Sequence, residues 1–344
     1  MVENILVSII GSIICTIIIV IISLYISRYL NSPNIFHFMT TISSISLIFI
    51  FLYLKLRSSW FVDNPVMAFV LSAFSIVLML RLLELSFAYK WTYLQQMPFK
   101  LAVMYLVAFP RMPKSETKLS ELSNENIRQE SISSIIRGIF QFIIVQSLLY
   151  LIPIEYLALP SISFSLVFRF LRYVLFSFIL YLSIGYPINF GFGIYSLLLN
   201  IPMNPVFPSF PFASTSLRDF WSFRWNNYIK SSLYMMSFVV LPKLIDPIVS
   251  MSNSIKSFLA FTLSGFIHEY AMYFMTSKWP GTHMLFFLIH GLLTFFETKI
   301  KLPIRPDSLH GKFFGWLWTM GIFLITTPLF FEPLIDVGVF ANMK

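Results

Sequence analysis

Two polar side chains lie in stretches of this chain that are otherwise apolar, and their types suit them to chemistry. Asn226 ends an aromatic and basic stretch, and His268 lies inside a later apolar run. An amide or an imidazole at membrane depth is costly, usually faces the protein interior and marks a site by default. A histidine held there is a candidate general base. The alternative for His268 is a hydrogen bond to a neighbouring helix without any chemistry.

The residues before Asn226 predict a short helix at a membrane surface. Ser214, Thr215 and Ser216 offer hydroxyls that can cap a helix beginning near Leu217, and Asp219 stands where a capping box places its acidic partner. Spacings of three and four residues then predict two neighbouring faces. One face would carry Arg218, Trp221 and Trp225, and the other Asp219, Ser222 and Asn226.

Three basic residues flank this stretch: Arg218, Arg224 and Lys230. We interpret them as the contacts for a phosphate-bearing substrate that arrives from the cytosol. The alternative is the usual excess of basic residues on the cytosolic side, which also attracts anionic lipid. Although the net charge is +9, the basic residues flank membrane segments and no separate soluble domain is evident, which excludes a nucleic-acid-binding protein.

His268 belongs to a second group of residues that are suited to a helix interface. Ser264 precedes it by four residues on the same helical face, and Gly265 is small enough to let another helix approach closely. Glu269 follows directly, which resembles the start of a zinc-protease motif. That motif needs a second histidine where this chain has Met272, so we expect no metal. His290, on a later helix, either packs or borders the same cavity.

Composition identifies the class of protein that must position these residues. The chain is 57% hydrophobic and 11% charged, whereas soluble domains are about 25% charged. About nine apolar stretches are long enough to span a membrane, and eight to ten spans fit the pattern. They lie at 5–26, 35–56, 66–88, 134–152, 163–184, 231–249, 256–276, 283–298 and 313–333. Since lipid-facing backbone must satisfy its own hydrogen bonds, we predict an all-α polytopic transmembrane bundle.

The chain shows no internal repeat and no flexible linker, so we predict a single membrane-embedded domain, 1–344. Within it we distinguish N-terminal spans at 1–88, a basic polar segment at 89–134 and a motif-bearing core at 205–300. The stretch 185–230 contains repeated prolines and glycines and yet is apolar. We expect it to be broken, and either re-entrant or interfacial.

Three sequence blocks in this core resemble the plant-type wax synthases of the membrane-bound O-acyltransferase superfamily. The first runs from Pro211 to Asn226 and contains Ser-Leu-Arg-Asp-Phe-Trp-Ser-Phe-Arg-Trp-Asn. The second is Ser-Gly-Phe-Ile-His-Glu at 264–269, and the third is Phe-Phe-Leu-Ile-His-Gly at 286–291, followed by Phe296 and Glu297. The resemblance covers about 205–300, in the family's order.

The resemblance implies a helical bundle around a central reaction chamber, with acyl-CoA entering from the cytosol and the acceptor from the bilayer. It implies that His268 and Asn226 are the catalytic pair. Asn227 is adjacent, and we assign the role to Asn226 because it directly follows the Arg-Trp pair. The supporting motif residues are Asp219, Trp221, Trp225, Ser264, Glu269 and His290.

The expected reaction moves a fatty acyl group from acyl-CoA to a long-chain alcohol and gives a wax ester and free CoA. His268 would take the alcohol proton as the alcohol attacks the thioester. Asn226 would donate to the developing oxyanion or else orient the alcohol or the imidazole. Glu269 would tune the imidazole or simply bond to a neighbouring helix.

Alternatives remain for the acceptor and for the class. A sterol or a diacylglycerol would fit an apolar tunnel as well, because such a tunnel sorts length and shape weakly. A polytopic transporter also places polar groups at mid-membrane, although it usually shows repeat symmetry. We expect no cofactor besides acyl-CoA as co-substrate, contacts with membrane lipids, and a multi-pass location in the endoplasmic reticulum.

Overall fold

A computed structural model of the chain describes residues 2–58, 60–88, 91–108, 123–153, 156, 159, 165–245, 250–300 and 308–343. The first six helices are α1 (Val2–Tyr29), α2 (Pro33–Arg57), α3 (Trp60–Asp63), α4 (Pro65–Leu83), α5 (Trp91–Gln96) and α6 (Phe99–Val107). The next three are α7 (Asn124–Leu151), α8 (Leu166–Leu199) and α9 (Leu217–Asp219). The last six are α10 (Asn227–Met235), α11 (Leu241–Ile245), α12 (Asn253–Thr276), α13 (Thr282–Ile300), α14 (Leu309–Asp336) and α15 (Val339–Asn342).

Three of these helices continue or join through π-helical turns. Such turns follow α4 at Glu84–Ala88, follow α9 at Phe220–Arg224, and connect α10 to α11 at Met236–Val240. A π turn inserts an extra residue into a helix and often occurs at functional sites. The second of them lies in the motif that ends at Asn226.

By length and composition, six helices in the described part of the chain can cross a membrane. They are α1, α2, α4 with its π turn, α7, α8 and α14. The predicted class, a polytopic α-helical membrane protein, is thereby confirmed. Fewer spans meet these criteria than the eight to ten that we predicted.

The three predicted spans at 231–249, 256–276 and 283–298 are absent from this set. The first is interrupted by the π turn at Met236–Val240, and residues 246–249 lie outside the described residues. The other two correspond to α12 and α13, which are regular helices. Both helices contain histidine and glutamate, which lower their hydropathy.

The described chain forms two compact units. The first comprises Met1–Val107 with Ser231–Phe295, and the second comprises Ala108–Lys230 with Phe296–Lys344. The single domain at 1–344 therefore stays a prediction. His268 belongs to the first unit and Asn226 to the second.

In the first unit, α4 packs against α12, and α2 packs against α4. Small residues on α4, Ala68, Ser72 and Ser75, are completely buried, which permits close helix approach. From α2, the buried ammonium of Lys55 donates to the carbonyl of Phe274 near the end of α12, at 2.8 Å. Lysine is thus used to satisfy a backbone oxygen that the helix itself leaves unpaired.

In the second unit, α7 and α8 pack closely along much of their length. This arrangement corrects our prediction that 185–230 is broken from its start, because α8 continues through Gly185, Pro187 and Gly193 to Leu199. A β-carbon on Gly185 would lie 2.7 Å from the Gln141 amide, and one on Gly193 would lie 2.7 Å from Ile135. The glycines therefore mark contact with α7 and not a break.

Part of the predicted basic polar segment at 89–134 is helical and buried. Residues 89–90 and 109–122 lie outside the described residues. Of the remainder, α6 buries Leu101, Met104 and Leu106, and α7 already begins at Asn124. The apolar side chains of 99–107 thus contribute to the core of the first unit.

A pair of glycines tests the contact between α7 and α8. A β-carbon on Gly138 of α7 would lie 2.7 Å from the backbone nitrogen of Phe190, whereas one on Gly191 of α8 would meet nothing within 4 Å. We expect Gly138→Ala to lower the midpoint of thermal unfolding of the detergent-purified protein, because the helices must move apart. Gly191→Ala should leave the midpoint unchanged or raise it, since alanine is the better helix former. Equal midpoints for the two variants would contradict this packing.

Candidate active site

The helix of the first motif begins where the sequence predicts it. It starts at Leu217, and the Ser216 hydroxyl accepts a hydrogen bond from the Asp219 backbone N–H at 2.9 Å. The Asp219 carboxylate reaches back, as expected, although it accepts from the N–H of Thr215 at 3.3 Å. The predicted N-terminal cap is therefore confirmed, with the acidic partner shifted by one residue.

The two predicted helical faces are wrong, because the helix does not stay α-helical. From Phe220 to Arg224 it is a π turn, which the Trp225 N–H closes on the Phe220 carbonyl at 2.9 Å. Asp219 and Arg224, five residues apart, form an ion pair of 2.8 Å, a spacing that a π turn aligns. Trp225 is already extended, so neither it nor Asn226 lies on a helical face with Trp221 or Ser222.

Asn226 adopts a backbone conformation that few residues tolerate. Its φ is +33°, in the left-handed region, where asparagine is among the few tolerated non-glycine residues. Strained residues of this kind cost about 1–3 kcal/mol and cluster at functional sites. The Oδ1 atom is buried and has no hydrogen-bond partner among the described residues. Rotating the carboxamide by 180° would put the NH₂ donor in the same place, so the position suits either an acceptor or a donor.

Asn227 has the environment of a structural residue. Its backbone N–H donates to the carbonyl of Val206 at 2.8 Å, and its side-chain amide donates to Pro205 at 3.3 Å. It also begins α10. Asn227 therefore fixes the chain around the motif, while the adjacent Asn226 keeps an unpaired polar atom.

His268 lies on α12 among aromatic rings of the first unit. Its imidazole stacks on Phe287 of α13, with ring centroids 4.9 Å apart and an angle of 21°. Phe69 of α4 and His283 of α13 lie at 6.4 Å and 5.7 Å. The ring thus points at packed protein, as predicted.

Close approach of α13 to α12 makes this stacking possible. A β-carbon on Gly265 would lie 2.8 Å from the sulfur and 3.0 Å from the α-carbon of Met284. The predicted use of a small residue one turn before the histidine is therefore confirmed. Ser264 occupies the same turn and is partly exposed.

Glu269, next to His268, binds the start of α13. Its side chain is 2% exposed and accepts backbone N–H groups from Gly281 (2.9 Å), His283 (2.9 Å) and Met284 (3.1 Å). Helix N-termini leave such donors unpaired and carry partial positive charge, which favours a carboxylate there. Of the two roles that we predicted, the bond to a neighbouring helix matches these contacts.

His290 is completely buried on α13, two turns after His283, and its ring lies 4.3 Å from that of Phe286. Packing is thus its observed contact. His283, which no motif in the sequence marks as a site residue, is completely buried beside His268. Only the pairing of α12 with α13 could identify it, and that pairing is set by Gly265 and Glu269.

The three basic residues around the motif have different environments. Arg224 is held by Asp219 and donates to the Phe210 carbonyl at 3.1 Å. Lys230 donates to the Ser222 carbonyl at 2.8 Å, and partial burial lowers the pKa of its ammonium. Arg218 is exposed, and its guanidinium has no partner among the described residues. Two of the three thus stabilise the motif, and Arg218 is the one open to a ligand.

Aromatic packing holds the motif tryptophans. The ring of Phe220 stacks on Trp225 at 5.2 Å and contacts Phe323 of α14 at 4.2 Å. Trp221 packs on the same Phe323 at 5.8 Å. The tryptophans of the motif therefore fix its position in the second unit.

A cavity of about 450 Å³ lies near the motif in the second unit. Ser131, Asn189 and Ser196 contribute buried polar groups to its lining, and Arg137 contributes a cation. Its rim includes Pro205, which accepts the Asn227 side-chain hydrogen bond. The volume of the cavity lies within the range of ligand pockets, and its lining includes the carboxylate of Glu130 as well as the cation of Arg137.

Comparison with known proteins identifies the central part of this chain. Residues 203–289 match the membrane bound O-acyl transferase family, and both Asn226 and His268 lie within the match. The predicted resemblance is thereby confirmed for this segment. The family match covers neither the N-terminal helices nor the C-terminal ones.

Individual relatives agree with the family. The chain is 30% identical over 151 residues to the probable long-chain-alcohol O-fatty-acyltransferase 7 of Arabidopsis thaliana, a match that covers 41% of this chain and 42% of the relative. It is 26% identical over 175 residues to the long-chain-alcohol O-fatty-acyltransferase of Simmondsia chinensis, covering 50% and 49%. The acyl-CoA–sterol O-acyltransferase 1 of Arabidopsis thaliana is 29% identical over 132 residues, covering 36% of each. The matches thus span less than half the length of these relatives.

The Glu269 cap generates a stability prediction. Glu269→Ala leaves three N–H groups at the start of α13 without their acceptor, so we expect the free energy of unfolding to fall by about 2–4 kcal/mol. Ser308→Ala is the matched control, because Ser308 caps α14 from an exposed position with one bond, to the Gly311 N–H. It should cost about 1 kcal/mol. Thermal unfolding of the two purified variants measures the difference, and an equal loss would refute the role of Glu269.

Proposed function

We propose that this protein is an acyl-CoA:alcohol O-acyltransferase, which transfers a fatty acyl group from acyl-CoA to a long-chain alcohol and releases a wax ester and free CoA. The observation that carries the proposal is the state of Asn226, a strained residue with an unpaired buried amide atom, inside the segment that matches the acyltransferase family. The names of several relatives support the same substrate classes.

In this proposal His268 is the general base. An alcohol is a poor nucleophile at neutral pH, and a positioned base that accepts its proton during attack accelerates the reaction by about 10²–10⁴-fold. The new C–O bond forms as the proton passes to the imidazole. When the tetrahedral intermediate collapses, the C–S bond breaks and the imidazolium returns the proton to the CoA sulfur. The reaction balances without a cofactor, since acyl-CoA is the co-substrate.

The contacts of His268 suit this role. Stacking on Phe287 restricts the rotation of the ring, and the rings of Phe69 and His283 lie beside it. The imidazole is partly buried, and we expect the acyl chain and the alcohol to displace the remaining water from it. Exclusion of water strengthens electrostatic interactions and prevents hydrolysis of the acyl donor. Water would otherwise compete with the alcohol for the thioester.

Asn226 is proposed to act on the same reaction through its unpaired amide. As a donor it would stabilise the negative charge that develops on the thioester oxygen, and as an acceptor it would orient the alcohol hydroxyl. The strained backbone is consistent with either use, because strain persists only where the surrounding structure enforces it. The π turn and the aromatic packing of Trp225 supply that enforcement.

The CoA portion of the donor is proposed to bind at the polar surface of the second unit. Arg218 is exposed and unpaired in the described part of the chain, and it would contact a CoA phosphate. The nearby polar cavity with Arg137 offers further hydrogen bonds to the hydrated part of CoA. The location in the endoplasmic reticulum stays a prediction.

A sterol is the second candidate acceptor. The observation that favours it is the similarity to a relative named as an acyl-CoA–sterol O-acyltransferase, whose identity of 29% is close to that of the alcohol-acylating relatives. A diacylglycerol acceptor and a transporter remain alternatives from the sequence alone. With a sterol or a diacylglycerol as acceptor, the two proposed catalytic residues stay the same.

The purified protein, supplied with palmitoyl-CoA and one acceptor at a time, tests the proposal. Released CoA thiol and the ester product are measured with hexadecanol, a plant sterol and a diacylglycerol. We expect equal amounts of thiol and ester, largest with hexadecanol. More ester with the sterol than with hexadecanol would show that a sterol is the preferred acceptor. Absence of ester with every acceptor would refute the proposed function.

Adjacent asparagines provide a matched pair for the role of Asn226. Asn226→Ala should lower kcat by about 10²-fold or more, as expected for a lost oxyanion donor. Asn227→Ala should lower kcat far less, because its contacts to Pro205 and Val206 are structural. Steady-state turnover at matched protein level distinguishes the two. The reverse order would show that the motif amide is Asn227.

A pair of exposed arginines tests the CoA contact. Arg218→Gln should raise the KM for acyl-CoA with little change in kcat, because a phosphate contact made equally in ground and transition states affects binding alone. Arg128→Gln is the control, since Arg128 is also exposed but lies on α7 outside the cavity lining. An unchanged KM in Arg218→Gln would show that Arg218 does not bind CoA. It would then be one of the basic residues that are generally enriched on the cytosolic side of a membrane protein.

A further inference from the structure

Glu297, near the end of α13, makes an unusual set of contacts with the motif of the second unit. Its Oε1 accepts the backbone N–H of Leu217 at 3.0 Å, and its Oε2 accepts that of Arg218 at 3.2 Å. The indole N–H of Trp318 on α14 donates to Oε1 at 2.9 Å. One carboxylate therefore binds two consecutive backbone donors and one side chain.

These two backbone groups open the helix that leads to Asn226. The first N–H groups of a helix have no partner within it. Here the Ser216 hydroxyl takes the N–H of Asp219, and Glu297 takes the two before it. The first turn is thus held entirely by side chains, two of its three donors by a residue 80 positions away in the chain.

A hydrogen-bonded π turn connects this first helical turn to Asn226. The π turn ends when the Trp225 N–H bonds to the Phe220 carbonyl, and Asn226 follows directly with its left-handed φ. On α14, Phe323 packs on Phe220 at 4.2 Å, and the indole of Trp316 donates to the Phe212 carbonyl at 2.8 Å. The stretch between the Glu297 contact and Asn226 is therefore one hydrogen-bonded element, clamped at its start.

We propose that Glu297 is a positioning residue for Asn226: its carboxylate fixes the first turn of the motif helix, and through the π turn it fixes where the Asn226 amide lies. It touches no substrate. Its charge suits the task, since a carboxylate is attracted to a helix N-terminus and accepts two N–H bonds in parallel. This inference rests on the proposed acyltransferase function.

Glu297→Gln tests the role, because it keeps the size of the side chain and loses the charge and one acceptor. We expect kcat for ester formation to fall about 10- to 100-fold, as for a small misplacement of a catalytic group. The KM for hexadecanol should change by no more than about twofold, since binding of the acceptor is not the affected step. The KM for palmitoyl-CoA does not enter this test, because Arg218, the proposed CoA contact, lies in the same first turn. Glu125→Gln, which removes an exposed carboxylate of α7 that accepts a hydrogen bond from Gln129, should leave kcat unchanged.

A double variant separates positioning from a general structural role. If Glu297 acts through Asn226, then Glu297→Gln should lower kcat by less than about threefold when Asn226 is already alanine, because residues that act as a unit are not additive. A full additional loss in that background would overturn the proposal. So would wild-type kcat in the single variant.

Hydrogen exchange gives a readout that does not depend on activity. In Glu297→Gln, the backbone amides of 217–226 should exchange faster, while those of α7 and α8 keep their protection. Unchanged exchange in 217–226, or faster exchange throughout the protein, would overturn the positioning role. Should Glu297→Gln not fold, Glu297→Asp, which keeps the charge but is too short to reach both donors, is measured in the same way. If the wild-type protein makes no ester with any acceptor, the proposed function fails, and exchange alone decides the role of Glu297.

Discussion

Polar groups at membrane depth must find partners within the protein, because the surrounding lipid offers none. Several buried charges in the described part of the chain meet that requirement through backbone groups and each other. Lys55 donates to a carbonyl of α12, and Glu269 accepts three N–H groups at the start of α13. Arg81 and Glu84 pair at 3.5 Å, and Glu84 also accepts the hydroxyl of Ser232. Each charge stabilises a particular helix end or helix contact.

Against this background the unsatisfied polar atoms carry information. Among the buried side-chain polar atoms that lack a partner in the described part of the chain, Oδ1 of Asn226 is the one whose residue also has a positive φ. Its neighbour Asn227 donates both its backbone N–H and its side-chain amide to the chain around it. An unpaired buried polar group costs about 1–3 kcal/mol, and strain adds to this cost. A substrate hydroxyl or oxyanion would supply the missing partner. The two arginines of the motif differ in the same way. Arg218 is exposed, whereas Arg224 forms an ion pair with Asp219.

Local signals in the sequence were sufficient for several features of the site. The cap at Ser216 and the close approach at Gly265 follow from residue types alone, and the structure confirms both. The π turn at Phe220–Arg224 could not be predicted, because it depends on the Asp219–Arg224 pair and on packing against α14. The prolines and glycines of 185–230 predict a broken chain, whereas packing against α7 keeps α8 continuous through Pro187. Tertiary contacts in each case outweighed the local preference.

The imidazole of His268 should be indispensable for ester formation. Ester formation from palmitoyl-CoA and hexadecanol should be compared between the wild-type protein, His268→Ala and His310→Ala at matched protein level. His310 is an exposed histidine at the start of α14, outside the site. We expect His310→Ala to keep wild-type turnover and His268→Ala to lose at least about 10²-fold, the contribution of a general base. Wild-type turnover in His268→Ala would contradict the central claim.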